Sequence, residues 1–456
     1  MIKKHLTEQT AILLSVTKWM ILSTIVGIII GSIVTLFLKI IQFAEHHQSS
    51  LPFPYYYTLP FVLMLVVWMI RTFAPSAEGH GTEKVIEAVH KKHGKIDLKV
   101  VPIKLIATVL TIFAGGSVGK EGPAGQIGAA SASGLSDLLR FNDVDRKKIV
   151  ICGISAGFAS VFGTPIAGAI FGVEVLIIGV ILYDVLLPSF IAGFAAFTTA
   201  QFLGIEYTYF DMHYYQSIAL DIPLILKVVG AGLFFGLVSD IVVTSMNFMH
   251  KTIKKIPLNI YLKTFIIGSL LVLIGLLFGT QYLGLGMDTI KDTLNPDPYF
   301  AKDLPWYAFL LKAFTTSLTL SGGGSGGVIT PIFYIGATSG HAFGAWFDYQ
   351  HITLFAALGF VSVLSGATNA PIAATIMAVE LFGLEIAHYA ALSAVISFLV
   401  TGHRSVFPSQ ILAMKKSEIL EVKIGEEIEK AEVELENRRY QKIRRRILRK
   451  KLRMKK

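Results

Sequence analysis

Apolar residues run along this chain in long blocks separated by short polar clusters. The blocks at 19–38, 61–70, 153–182, 222–243 and 265–278 contain almost no charge. Roughly fourteen such segments can be distinguished, several of them shorter than the ~20 residues that a simple membrane span requires. Glycines interrupt many of them. Short, interrupted apolar segments predict tilted, broken or re-entrant helices, which persist in a bilayer only where they face protein or a water-filled cavity. The pattern therefore predicts an all-α polytopic membrane protein.

The blocks also repeat. Gly119-Lys120-Glu121-Gly122-Pro123 follows a Gly-rich run, and Gly324-Ser325-Gly326-Gly327-Val328-Ile329-Thr330-Pro331 has the same form. Pro123 falls on Pro331, 208 residues later, and Gly128-Ala129 then falls on Gly336-Ala337. Pro165-Ile166-Ala167 recurs as Pro371-Ile372-Ala373, and Val173-Glu174 as Val379-Glu380, at an offset of 206. Each copy places a Gly-rich break before a helix, with proline suited to the helix's first turn.

Composition agrees with the membrane reading: 53% of residues are hydrophobic, 16% are charged and the mean hydropathy is +0.62. Residues 1–10 are polar, and no small-residue cleavage site follows the first apolar run, so no cleaved signal is expected. The single cysteine, Cys152, excludes a disulfide framework and cysteine-based metal sites, and its expected role is packing. The net charge of +10 is concentrated at the end, where residues 415–456 hold 16 Lys/Arg and 8 Asp/Glu. This tail is acidic first (Glu426, Glu427, Glu429, Glu432, Glu434, Glu436) and basic over 438–456. Ile428, Ala431, Leu435, Ile443, Ile447 and Leu448 recur at helical spacing. They predict a cytoplasmic helix lying against anionic lipid or a neighbouring subunit, in preference to a nucleic-acid-binding arm.

Basic loops mark the cytoplasmic side. They contain Lys84, Lys91, Lys92, Lys95 and Lys99, then Arg140, Arg146, Lys147 and Lys148, then Lys251, Lys254, Lys255 and Lys263. No Lys or Arg lies between Lys148 and Lys227, so the polar stretch with Glu206, Asp211, His213 and Asp221 is expected outside. By the 208 offset, the basic loop at 140–148 falls on 348–356, which has Asp348 and His351 but no Lys or Arg. The region near 205 falls beside Arg404, Lys415 and Lys416. Basic loops map onto non-basic ones in both directions, which predicts two inverted-topology repeats. In that architecture the positive ends of broken helices from both copies converge on one site, and an anion is favoured there.

Glu121 puts a carboxylate at such a helix start. It is either an ordinary capping residue or a resident anion that a proton or a competing anion displaces. A phosphate loop is excluded, because Gly-Lys must be followed by Ser or Thr and Glu121 follows here.

These residues resemble the CLC family of chloride channels and chloride/proton antiporters over nearly all of 15–414. Gly119-Lys120-Glu121-Gly122-Pro123 is similar to the family's Gly-Lys/Arg-Glu-Gly-Pro segment. Gly327-Val328-Ile329-Thr330-Pro331 is similar to its Gly-x-Phe-x-Pro segment, with Ile329 where Phe is usual. Ala77-Glu78-Gly79-His80-Gly81-Thr82 stands where the family has Gly-Ser-Gly-Ile-Pro, so His80 replaces the anion-contacting serine. Phe407, in Ser405-Val406-Phe407-Pro408-Ser409, matches the pore-lining tyrosine. The resemblance implies a homodimer with a pore in each subunit, no cofactor, and Glu121 as the gating glutamate. It implies anion contacts at His80, Gly119, Lys120, Gly122, Val328, Ile329 and Phe407. Glu174 falls beside the proton-relay position of many antiporters, and Val175 on it. Valine there is typical of the channels, although some exchangers couple without the relay.

The resemblance thus implies glutamate-gated chloride conduction of the voltage-gated channel type. Chloride/proton antiport, or transport of another small anion such as fluoride or nitrate, stays open. His80 can donate to an anion, carry charge or bond backbone, while the retained Pro123 is typical of chloride-type members. The expected organisation is a cytoplasmic N-terminus (1–14), a transport domain (15–414) with repeats at about 70–205 and 265–414, and a charged cytoplasmic tail (415–456). Glu174 and Glu380, at equivalent positions, are expected to bond helices. Lys104 either lends positive potential to the pore or snorkels to the interface. No metal-ligand spacing occurs, His46-His47 included. An integral-membrane enzyme would need a catalytic constellation that the sequence lacks, and a cation or amino-acid transporter would need acidic groups where these breaks offer N–H groups.

Overall fold

A computed structural model describes residues 2–48, 50–210, 212, 221–431 and 434–435. Sixteen α-helices among them divide into two sets of eight. The first set is α1 (Ile2–Gln48), α2 (Leu59–Phe73), α3 (Thr82–Lys91), α4 (Val100–Phe113), α5 (Glu121–Leu138), α6 (Asp143–Phe162), α7 (Pro165–Glu174) and α8 (Tyr183–Phe202). The second is α9 (Ile222–Lys255), α10 (Ile260–Phe278), α11 (Met287–Thr293), α12 (Ala308–Ser321), α13 (Ile329–Phe347), α14 (Ile352–Thr368), α15 (Pro371–Phe382) and α16 (Ala387–Thr401). By order, α1 and α2 of the first set stand where α9 and α10 stand in the second. Among the described residues, seven helices are long and apolar enough to cross a membrane; the shorter α4, α7, α12 and α15 are the broken pieces. Large apolar side chains such as Phe202, Leu237 and Leu277 lie exposed on the outer surface, the arrangement expected where lipid is the solvent.

Local chemistry explains the breaks. Gly163 ends α6 at φ 73°, and Pro165 opens α7. In the second copy Asn369 ends α14 at φ 59°, and Pro371 opens α15. A left-handed residue terminates each helix, and proline's fixed φ with no N–H starts the next. The apolar block at 153–182 is therefore parts of two helices, followed by the short strand β1 (Ile177–Ile178). The α5–α6 and α13–α14 crossings are close because glycines meet there. A Cβ on Gly128 would collide with the Gly153 carbonyl, and one on Gly336 with the Gly359 carbonyl. Every residue of α14 is buried, so this helix runs through the centre of the second repeat.

The described start of the tail, 415–431 and 434–435, departs from the helix predicted by its apolar spacing. β2 (Ile411–Leu412) pairs in parallel with β1. Beyond it the backbone turns at Gly425 (φ 89°) and returns along the same edge, with Gly425 N–H donating to Leu412 O at 2.7 Å and Ile428 N–H to Gln410 O at 2.9 Å. Val422 is buried with Ile178, Phe398 and Leu412, and Lys91 pairs with Glu427 at 2.6 Å. The strands β3 (Leu420–Glu421) and β4 (Glu434–Leu435) pair antiparallel. Unpaired edge groups at 410–412 thus recruit the start of the tail, and this competes successfully with a short isolated helix. Glu432, Glu436 and 438–456, like Asp211 and His213, lie outside the described residues.

Candidate anion site

The two Gly-rich breaks meet face to face. Gly119 N–H donates to Gly327 O at 2.7 Å, and Gly327 N–H to Gly119 O at 2.6 Å. Hydroxyls of the helices before each break lock the crossing from both sides. Ser117 N–H donates to Thr319 Oγ1 at 3.2 Å, and Ser325 N–H to Thr111 Oγ1 at 3.1 Å, the counterpart bond in the other repeat. This reciprocity brings the starts of α5 and α13 together, so two positive helix ends face one small volume. Only glycine fits at positions 122 and 327 of the seam. A Cβ on Gly327 would lie 2.7 Å from Gly122 N, and one on Gly122 would collide with the His80 carbonyl.

Glu121, the first residue of α5, is 3% exposed. Its carboxylate does not cap its own helix. Instead it accepts from the second residue of α13, with Thr330 N–H at 3.1 Å from Oε2 and Thr330 Oγ1 at 2.7 Å from Oε1 and 2.5 Å from Oε2. A negative group therefore sits where the other repeat presents its helix dipole and an unpaired amide, which is where a bound anion would also gain most. Thr330 is the repeat counterpart of Gly122, and Ile329 that of Glu121. The duplication has diverged so that one copy supplies the acid and the other its donor.

The remaining predicted residues gather around this seam to different degrees. Gly119, Gly122, Val328 and Ile329 are buried in it. His80 lies behind Gly122 and faces Phe407, with 5.5 Å between ring centres, and Phe407 is 0% exposed. His80 Nδ1 is buried without a hydrogen-bond partner among the described residues, so a backbone-bonded Nδ1 is not what holds this ring. Lys120 is half-buried at the start of α5 and lies within electrostatic reach of Glu45. Val175, at the end of α7, is fully buried, and its carbonyl accepts from Gln410 Nε2 at 2.8 Å.

Glu174 and Glu380 bond helices, as expected, and do so across the repeats. Glu174 accepts from Ile372 N–H (3.1 Å) and Ala373 N–H (2.8 Å) at the start of α15. Glu380 accepts from Ile166 N–H (3.0 Å) and Ala167 N–H (2.7 Å) at the start of α7. Lys104 does not snorkel. It is 0% exposed and donates to Gly79 O at 2.5 Å and Ala77 O at 3.1 Å, anchoring the segment that carries His80. Its counterpart 208 residues on, Lys312, is equally buried and donates to Gly284 O at 2.8 Å.

The sequence matches the Voltage gated chloride channel family over residues 62–402. The chain belongs to the CLC family. A chloride/fluoride channel protein of Pseudomonas syringae pv. tomato is 34% identical over 426 residues, covering 90% of each chain. The crystal structure of a CLC-type fluoride/proton antiporter superposes with a TM-score of 0.81 at 31% identity, covering 87% of this chain and 98% of that one. A slow cyanobacterial Cl⁻/H⁺ antiporter, at 18% identity and a TM-score of 0.71, shares the fold. CLC membership makes this an anion-transporting, multi-pass membrane protein, and these relatives are named as channels or antiporters, none as an enzyme.

Four polar residues around this CLC site escape sequence reasoning. Thr330 was visible only as the residue opposite Gly122 in the repeat, and its partner lies 209 positions away. Lys312 was reachable by applying the same offset to Lys104. Glu83 and Ser409, whose side chains join the His80 and Phe407 segments, share no motif at all.

Proposed function

We propose that this protein moves small halide anions, chloride and fluoride, through a path that crosses the α5–α13 seam, and that Glu121 gates it. The observation carrying this reading is the Glu121 carboxylate held by Thr330 at the start of the opposite repeat's helix. A group so placed competes with the permeant anion for the same amides, and protonation weakens its hold. Fluoride enters the reading because His80 and Ile329 replace the serine and phenylalanine of chloride-type relatives, and because the relatives described above at 34% and 31% identity are named for fluoride. Glu121→Gln is expected to make halide efflux from liposomes faster, or less pH-dependent, than wild type. An unchanged pH profile in folded, active protein would remove Glu121 from this role.

Transport is proposed to be channel-like or weakly proton-coupled. Valine at 175 cannot hold a proton, and Glu174 spends its carboxylate on two α15 amides. A reversal potential measured under a fixed halide gradient while pH is stepped on one side should stay at the halide value. Uphill proton movement driven by halide would establish an exchanger instead. We further propose a homodimer that joins through the exposed apolar faces of α8 (Leu187, Phe194) and α16 (Val395, Leu399). Both termini are assigned to the cytoplasm, where the basic loops would face anionic lipid.

A further inference from the structure

Glu83 stands at the second residue of α3, a polar helix outside the apolar spans. One of its carboxylate oxygens, Oε1, accepts from Ser409 N–H at 3.0 Å and from the Ser409 hydroxyl. The other, Oε2, is buried and has no hydrogen-bond partner among the described residues. This single carboxylate ties together two segments distant in sequence. On one side is 78–83, whose His80 carbonyl touches Gly122 and whose Gly81 packs against the Gly122 carbonyl. On the other is 405–410, which carries Phe407 against the His80 ring. Ser405 Oγ accepts from Phe407 N–H at 2.9 Å, so 405–409 is a short turn with Phe407 held at one end and Ser409 clasped at the other.

We propose that Glu83 is a second proton-sensitive positioning residue of this transporter, a clasp that holds Phe407 against His80 and closes the inner end of the anion path until Glu83 takes up a proton. The proposal rests on the reading of the path given above. Ionised, the carboxylate accepts both Ser409 donors; neutral, it is the weaker acceptor, the clasp loosens and Phe407 is freed to move. Burial pushes the Glu83 carboxyl up to about 7, against the lowering influence of the two Ser409 bonds and Lys84. The sign follows from that upward direction. Above this value the group is ionised and the clasp is tight, and flux increases as pH falls through it. Other titratable and charged groups near the clasp include Lys84, Glu87 and Lys91 on α3, His80 and Glu78 before it, and Lys104 of α4 beneath His80. The 405–410 turn adds none, while the returning segment beside it brings Glu427 and Glu429. Of the helices packed on α3, α5 brings Glu121 at its start, and α6 brings Lys147 near His90.

The test uses full-length protein in liposomes with pH equal on both sides and halide efflux as the readout. In a Glu121→Gln background, which takes the gate's own titration away, efflux is expected to rise several-fold as pH falls through about 7. Adding Glu83→Gln should abolish that rise and leave fast efflux at every pH. Ser409→Ala, which keeps the backbone donor but loses the hydroxyl, should move the midpoint to higher pH, because a carboxylate with fewer donors holds its proton more firmly. A flat profile in Glu121→Gln alone, a rise that survives Glu83→Gln, or a Ser409→Ala midpoint that stays or falls would each overturn the proposal. Should Glu83→Gln not fold, the direction of the Ser409→Ala shift decides. If Glu121→Gln leaves wild-type efflux untouched, the gate reading fails, and Glu83→Gln on the wild-type chain still reports on the clasp.

Discussion

Removing the Thr330 hydroxyl should open the gate without touching the glutamate. Thr330→Val keeps the side-chain shape and the backbone N–H at 3.1 Å from Glu121 Oε2, but deletes the Oγ1 donor at 2.7 and 2.5 Å from the two carboxylate oxygens. A hydrogen bond to a charged group contributes about 1.5–3 kcal/mol. At about 1.4 kcal/mol per factor of ten, the equilibrium between seated and displaced Glu121 shifts by roughly one to two orders of magnitude toward displaced. Initial halide efflux from liposomes, read with an ion-selective electrode at matched protein incorporation, should rise by up to that factor until anion binding itself limits. Thr330→Ser retains the hydroxyl and should stay near wild type. In a Glu121→Gln background Thr330→Val should add little, since the two changes remove the same interaction. The reasoning is refuted if Thr330→Val and Thr330→Ser are indistinguishable, or if the valine speeds efflux equally with and without the glutamate.

Three further outcomes follow from the packing. His80→Ser is expected to change the ratio of chloride to fluoride or nitrate permeation; an identical ratio would make the ring a purely structural neighbour of Phe407. Glu174→Leu strands two amides at the start of α15, and Glu380→Leu two at the start of α7. At about 1–3 kcal/mol per unsatisfied group, both should lower the melting temperature in detergent by similar amounts, and an unchanged melting temperature would mean that water replaces the bonds. Truncation after residue 435 should leave efflux intact, whereas truncation after 416 removes Val422 and the Lys91–Glu427 pair and should destabilise the protein. Equal stability of the two truncations would contradict this.

The sequence alone determined class, topology and the position of the acid. Block hydrophobicity reports the solvent, and a bilayer demands helices. Paired Gly-Pro punctuation at a nearly constant offset reports the duplication, and the asymmetry of basic loops reports its inversion. Each of these is a local signal, carried by neighbouring residues or by a fixed spacing. Glu121 at a Gly-rich helix start was legible for the same reason. Its partner was not, because nothing near Glu121 indicates that its carboxylate seats on Thr330 of the other repeat. The same holds for Glu174 and Glu380, whose amide partners lie about 200 residues away, and for the Glu83–Ser409 clasp, whose halves lie 326 apart. Lys104 illustrates the opposite error: an isolated lysine near a helix end suggests snorkelling, yet the fold turns Gly79 O toward it. Hydrogen-bond partners are chosen by which backbone groups the tertiary crossing leaves unpaired, and only the assembled pair of repeats decides that.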